Sequence, residues 1–373
     1  MSSVLRRLRA WRIIMKLGPA RKIGSSFEEF FRYYIIDTMA DEGLFDYLTT
    51  PRNYGQILAH FDYTDSSYTR ELFDLLAIED VYSGKSRNVL IKDDISYRLN
   101  PNQPIPTLDD ALARSDSRYQ EFGNMAVDIV RNIPRRLRGQ PVEFTKGFEV
   151  KGREMLKNFD KLLSNRLYTV SRDAAFAFLE RRDRDWLRSG KTLLDVGCGA
   201  GRETAELWLH LQGAAKITAV DPVAGLLEHA EGNFASLLDK IGPDHPPVTD
   251  ANRPVFQKAS ATQLPFDDNS FDAAFYAFIL HWTPDPRQAV REITRVVKPD
   301  GLIFGVQIMK PSWSPFVDIV IRSNENCSGF FWTEEHRQWY AENGFECETV
   351  TPLGIFRSSN KISGNGQPEH LAS

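Results

Sequence analysis

The stretch TLLDVGCGAGRET, residues 192–204, runs from apolar residues into glycines at Gly197, Gly199 and Gly201. Glycine lets a backbone approach a ligand with no Cβ in the way, so such a loop suits a nucleotide. The dinucleotide fingerprint is G-x-G-x-x-G, and Arg202 stands where its third glycine belongs. A phosphate loop requires Lys-Ser or Lys-Thr after its last glycine, and neither follows. Asp195 lies two residues before Gly197. A carboxylate there repels a pyrophosphate and suits a cation, such as the amino group of a methionine moiety, directly or through water. Asp221, in ITAVDP, closes the next apolar run, where a carboxylate can accept both hydroxyls of a ribose. Turn geometry alone is the competing account of the glycines.

These groups need a scaffold, and the pattern after Lys191 supplies one. TLLDV, KITAV, RPVFQKAS, FDAAFYAF and GLIFGVQIM read as strands. RETAELWLHL, AGLLEHAEGNFASLLDKI and PRQAVREITRVVK between them read as helices, and FECETVTPLGIFRSS offers two last short strands. Such alternation predicts an α/β fold, a mostly parallel sheet with helices on both faces. Ligands bind these sheets at the carboxyl ends of the strands, where strand order reverses. Upstream, three helical segments and a hairpin, NVLIKDDISYRLNPN, follow the order of a winged helix. Its would-be recognition helix, between Ser66 and Ala77, is acidic and apolar, with Arg70 beside Glu71 and Asp74. Major-groove readers offer cations and amides, so a structural or dimerising role is expected and nucleic acid is not. The expected divisions are a basic N-terminal arm (1–26), the winged-helix unit (27–105), a helical connector (106–185), the sheet domain (186–360) and a disordered tail (361–373).

Bulk properties agree with a soluble globular protein. The 373 residues carry a net charge of -4. Three scattered cysteines, Cys198, Cys327 and Cys347, form no C-x-x-C pair, which fits a reducing compartment and predicts no metal site. No apolar run reaches the roughly 18 residues of a membrane span, and a cytoplasmic location is expected. Residues 1–26 contain seven cations and no acid. Leu5, Leu8, Trp11 and Met15 there recur at helical spacing, which suits a helix on the protein, a targeting peptide or a membrane-surface helix.

LLDVGCGAG, VDP, LPFDDNSFDAAF and REITRVVKPDG, in that order, resemble the motifs of class I S-adenosylmethionine-dependent methyltransferases, over about residues 190–310. The resemblance implies a Rossmann-like sheet and S-adenosylmethionine as cofactor. Asp195, Gly197, Gly199 and Gly201 would line its methionine and ribose end. Asp221 would hold the ribose hydroxyls, with Pro222 or Val223 beside the adenine. Ser260 stands where the family often has an acid, leaving Ser260 and the Ala261 backbone to meet the adenine amino group. The upstream unit resembles the dimerising domain of small-molecule O-methyltransferases, which implies a homodimer and a small acceptor methylated on O or S. His281, in FILHWTPD, is the candidate base or a wall of the site, and Trp282 a second wall. The layout also resembles S-methyltransferases of the dimethylsulfoniopropionate pathway, which act on methylthiohydroxybutyrate. A thioether needs no base, but its carboxylate needs a cation, for which Arg166, Arg172 and Arg337 are candidates, with Tyr168 as an aromatic neighbour. Solvated helix face is the competing account of Arg166 and Arg172. A regulator binding cofactor and DNA is the reading from another class.

Overall fold

The computed structural model describes residues 3–17, 20–78, 88–107, 109, 130–143, 164, 166–310, 314–351 and 353–360. The expected tail, 361–373, and most of the helical stretch read before Arg166 lie outside the described residues. The chain forms two compact units, and both are discontinuous in sequence. One holds residues 1–20, 147–312 and 330–373, the other residues 21–146 and 313–329.

The first unit is built on one seven-stranded sheet. Its strands are β1 (Thr192–Val196), β2 (Lys216–Asp221), β3 (Val255–Lys258), β4 (Phe271–Ala277), β5 (Val297–Val306), β6 (Phe345–Val350) and β7 (Ile355–Asn360). They lie in the order β6-β7-β5-β4-β1-β2-β3. The five strands from β1 to β5 are parallel, and β7 runs antiparallel to both β5 and β6. Strands buried on both faces read as continuous apolar runs, which is why β1, β4 and β5 were legible without alternation. Helix Pro286–Val296, between β4 and β5, shows the local logic. Asp285 accepts a hydrogen bond from the Gln288 N–H at 2.9 Å, and Pro286 occupies the first turn, where its missing N–H costs nothing. Ala289, Val290, Ile293 and Val296 then bury one face against the sheet. Strand β1 has β2 on one side and β4 on the other. The order reverses there, and the crevice at the carboxyl ends of β1 and β4 is where the site must lie.

The second unit contains the helices Leu44–Tyr47, Tyr54–Phe61, Ser66–Ala77 and Ile133–Leu137. The hairpin Leu90–Asp93 with Ser96–Leu99 is present and turns through a left-handed Asp94. Arg52–Asn53 adds a short third strand beside Ser96–Leu99. Helix Pro315–Arg322 joins this unit from far along the chain. The Tyr68 hydroxyl donates to the Ile319 carbonyl at 2.7 Å, and Arg322 pairs with Glu71. On helix Ser66–Ala77, the Arg70 guanidinium lies 4.4 Å over the Tyr54 ring. Asp74 accepts from Lys92 and from the Tyr97 hydroxyl. These charged groups are engaged by their own unit.

Gly201 opens helix Arg202–His210 with φ 86°, and a Cβ added there would lie 2.7 Å from the Ala230 Cβ. Gly201→Ala is therefore expected to destabilise by about 1–3 kcal/mol from overpacking, with the left-handed cost of about 1 kcal/mol added. Gly232, inside helix Ala224–Ile241, has nothing within 4 Å of an added Cβ. Gly232→Ala should stabilise by about 0.5–1 kcal/mol. Urea unfolding midpoints check both signs.

Candidate functional site

Four strand ends supply the site. After Val196 the chain turns back, and the N–H groups of Gly197 and Cys198 both donate to the Val220 carbonyl, at 2.7 and 3.0 Å. This latches the loop across the end of β2. Gly197, Gly199 and Gly201 have φ of 73°, 52° and 86°, a region that L side chains rarely occupy. A Cβ on Gly197 would lie 2.4 Å from Ile279 Cγ2. Packing inside the protein thus requires Gly197 and Gly201 whether or not a ligand is bound.

Asp221 holds the loop from the other side. Its Oδ2 accepts from the Gly199 N–H at 3.0 Å and its Oδ1 from the Val223 N–H at 2.9 Å. Burial pushes its carboxyl up to about 6, although the two N–H groups pull the other way. Asp195 is 1% exposed and accepts from the Thr204 hydroxyl at 2.6 Å. Burial pushes it up to about 8. The Thr204 hydrogen bond opposes the rise, and the nearby charges of Glu203 and Asp221 add to it. No cation is among the groups that act on it. A buried carboxylate surrounded by like charge is relieved by a cationic ligand, so the donor set fits the sulfonium and ammonium charges of S-adenosylmethionine. Asp221 uses one lone pair on each oxygen and retains capacity for ribose hydroxyls. Pro222 is exposed beside it. The Ala259 N–H donates to the Asp221 carbonyl at 3.1 Å, which draws Ser260 and Ala261 toward the end of β2. The Ser260 hydroxyl is 2.9 Å from that of Thr262, and Ala261 is buried.

His281 lies just past β4 on the short helix Leu280–Trp282 and is buried. Burial depresses its imidazole to about 3, so the ring is neutral. Gln307, just past the end of β5, decides which nitrogen carries the proton. Its Oε1 accepts from the Leu280 N–H at 3.1 Å, and its Nε2 donates to the Ile308 carbonyl at 3.1 Å. A backbone N–H can only donate and a carbonyl can only accept, so the amide has one orientation. The second Nε2 hydrogen therefore points to His281 Nδ1, 2.9 Å away. Nδ1 is the acceptor, and the neutral ring carries its proton on Nε2. In this tautomer His281 is a hydrogen-bond donor and has no free lone pair to act as a base.

Aromatic rings flank it. The Phe330 and Trp282 rings lie 5.1 and 5.3 Å from the imidazole. Tyr168 meets Phe278 edge-on at 4.8 Å. Phe278 has φ 57°, a left-handed conformation at the end of β4 that costs a bulky residue about 1–3 kcal/mol. Such strain collects where a fold must aim side chains.

The arginines separate. Arg172 is 1% exposed and spends its guanidinium inside the protein. Its Nε and Nη2 donate to both oxygens of Glu206, and its Nη1 donates to Glu203 at 2.9 Å. Both sequence accounts of Arg172, substrate cation and solvated helix face, are corrected by this: two buried carboxylates neutralise it. Arg166 is exposed and donates to the Lys16 carbonyl. Arg337 is exposed on helix Thr333–Glu342, where its charge acts on His336 and Cys347. Sequence reasoning missed Gln307, Phe278 and Thr204. Gln307 had a signal: it is the one polar side chain in GLIFGVQIM, and a buried amide must find partners.

Comparison with known proteins agrees with this geometry. The methyltransferase domain family matches residues 194–305. Demethylmenaquinone methyltransferase of Desulfitobacterium hafniense (strain Y51) is 30% identical over 129 residues, 35% of this chain and 47% of that protein. The ubiquinone/menaquinone biosynthesis C-methyltransferase of Hahella chejuensis is 32% identical over 130 residues, 35% of this chain and 48% of that one. The chain thus spans about half the length of the curated relatives it matches. The crystal structure of the CurJ carbon methyltransferase shares the fold, with a TM-score of 0.68 at 15% identity over 94% of this chain and 96% of that one.

A cation seated on the loop favours ionised Asp195. Binding of S-adenosylmethionine near pH 7 is therefore expected to release a proton, and affinity should rise with pH up to about 8. Calorimetry in buffers of different ionisation enthalpy reads the release, which should vanish in Asp195→Asn. Arg172→Met should cost about 3–5 kcal/mol by stranding Glu203 and Glu206. Denaturant unfolding against acceptor KM separates this from a binding role. Residues 194–305 match the methyltransferase domain family, and sheet order, glycine loop and paired carboxylates agree with the class I S-adenosylmethionine-dependent fold.

Proposed function

We propose that the chain transfers the methyl group of S-adenosylmethionine to a carbon atom of a small acceptor. The carrying observation is the donor-only tautomer that Gln307 imposes on His281. Bound cofactor supplies an electrophilic methyl on a sulfonium. A carbon flanked by carbonyls loses its proton to water as the acceptor enters, leaving an enolate whose charge sits on oxygen. The protein then needs to hold that enolate and stabilise its oxygen until the carbon would bond the methyl as the methyl–sulfur bond breaks, leaving the cofactor as a neutral thioether. The buried Nε2–H of His281 is suited to donate to such an oxygen, and the rings of Trp282 and Phe330 exclude water around it. The names of the Hahella relative and of CurJ support a carbon acceptor.

Transfer to a hydroxyl with His281 as base requires a free lone pair on Nε2, which this tautomer lacks. Transfer to the sulfur of methylthiohydroxybutyrate needs no base, and a neutral His281 suits it. The acceptor carboxylate then needs a cation, and the buried candidate, Arg172, is neutralised by Glu203 and Glu206. A carbon acceptor ranks first on these grounds. The DNA-binding regulator ranks last, because Arg70 and Asp74 are engaged within their own unit. Dimerisation through the upstream unit, residues 27–105, and a cytoplasmic location complete the proposal, with sedimentation velocity as the test of the former. Among the described residues no helix is long and apolar enough to cross a membrane.

A labelled-methyl screen with 1,3-dicarbonyl, quinol, phenol and thioether acceptors decides among these. Product with carbon acceptors is expected. Product on phenol oxygen or thioether sulfur alone overturns the carbon reading, and failure to bind S-adenosylmethionine overturns the whole. His281→Ala should lower kcat by about 10²–10³-fold, the usual cost of losing an oxyanion donor. The wild-type rate should show no histidine limb between pH 5 and 9. Gln307→Glu would draw the proton to Nδ1, free Nε2 as a base and introduce such a limb.

A further inference from the structure

The N-terminal helix Ser3–Ile14 packs on helix Arg166–Phe178 of its own unit with an unusual face. Arg6, Ala10 and Ile14 are buried, and Arg6 pairs with Glu180 and Glu348. Positions 6, 10 and 14 make one stripe of a helix. The opposite stripe is Val4, Leu8, Trp11 and Met15, again at helical spacing. These residues are exposed by 61%, 54%, 41% and 69%, and Leu5 beside them by 47%. A helix docked on a soluble protein normally turns its apolar side inward. This one anchors an arginine inward and leaves a continuous apolar stripe outside.

Charge identifies what covers it. Arg7, Arg12 and Lys16 are exposed beside the stripe. Residues 1–26 hold no acid, although the whole chain carries a net charge of -4. A second copy laying the same stripe on this one would bring cations against cations. Twelve residues span about 18 Å, too short for the roughly 30 Å hydrocarbon core of a bilayer. An apolar stripe with tryptophan, edged by cations, suits a helix lying in the plane of an anionic membrane surface. Trp11 would then sit at headgroup level and the cations against lipid phosphates and carboxylates. We propose that this helix docks the protein, without spanning, on a bilayer rich in anionic lipid. The proposal is independent of the identity of the methyl acceptor.

Co-sedimentation of the full chain with sucrose-loaded vesicles tests it. Vesicles of phosphatidylcholine with about 30% phosphatidylserine supply the charge that juxtamembrane cations read, and phosphatidylcholine alone is the comparison. Partitioning onto the anionic vesicles should exceed that onto the neutral ones at least tenfold, and fall as salt rises. The double variant Leu8→Glu, Trp11→Glu changes only exposed positions and should lose at least tenfold in partitioning. Its circular dichroism spectrum and S-adenosylmethionine affinity should stay at the wild-type values. Arg7→Gln with Arg12→Gln should remove most of the preference for anionic lipid. Equal recovery with and without vesicles overturns the proposal, as does binding that survives the glutamates. A wild-type dimer by light scattering that the glutamates convert to monomer also overturns it, by assigning the stripe to a second copy.

Discussion

Three hydrogen bonds from its own N–H groups fold the glycine loop onto the end of β2. The Val220 carbonyl receives two of them, from Gly197 and Cys198, and the Asp221 carboxylate, itself oriented by the Val223 N–H, receives the third, from Gly199. Each N–H would otherwise be left unpaired in a buried crevice, at a cost of about 1–3 kcal/mol. The left-handed glycines make the reversal sterically allowed, and these bonds hold it. Everything else in the crevice is arranged around that reversal. The helix Arg202–His210 starts where the loop ends, and its first turns carry Glu203, Thr204 and Glu206 inward.

Those inward groups make the crevice strongly acidic. Asp195, Asp221, Glu203 and Glu206 are all buried within a short stretch of chain and its neighbouring strand end. One buried arginine offsets the two glutamates on the helix face, in a fork-to-fork arrangement suited to the guanidinium geometry. Nothing comparable offsets Asp195, whose carboxyl is held up by its surroundings. The balance is uneven in a useful way: the helix glutamates are neutralised by the protein, and the loop aspartates are left for a cationic, hydroxyl-bearing ligand.

At the other wall of the crevice, the controlling group is an amide. Gln307 bridges the backbone of two segments and hands its remaining hydrogen to His281. A carboxylate in that place would hold a proton on Nδ1 and make the ring a base. The amide does the opposite, and with burial it keeps the ring neutral and donating. The neutral ring lies between the Trp282 and Phe330 rings, and the proposed carbon acceptor rests on that donor.

The sheet and the placement of Asp195 and Asp221 at strand ends were legible in the sequence, because each is encoded by neighbours a few residues apart, whereas β5 spans Val297–Val306 and so begins four residues before GLIFGVQIM, in residues read as helix. Apolar runs, glycine spacing and a proline-led helix start act through local sterics and hydrogen bonding. The methyl-donor assignment came from the same local pattern. What the sequence could not carry was any property that depends on atoms brought together from afar. Arg172 read as a surface cation until Glu203 and Glu206 closed on it from another helix. His281 read as a candidate base or a wall of the site, and the amide that bears on its tautomer lies 26 residues later. Residues 315–322 fell within the expected sheet domain, 186–360, whereas the structure makes them a helix of the other unit, where the Ile319 carbonyl accepts from the Tyr68 hydroxyl. In the N-terminal segment the helical period was plain, but which stripe faces inward was decided by Glu180 and Glu348 capturing Arg6. Periodicity states that a helix has two faces, and only the tertiary partners determine which face they take.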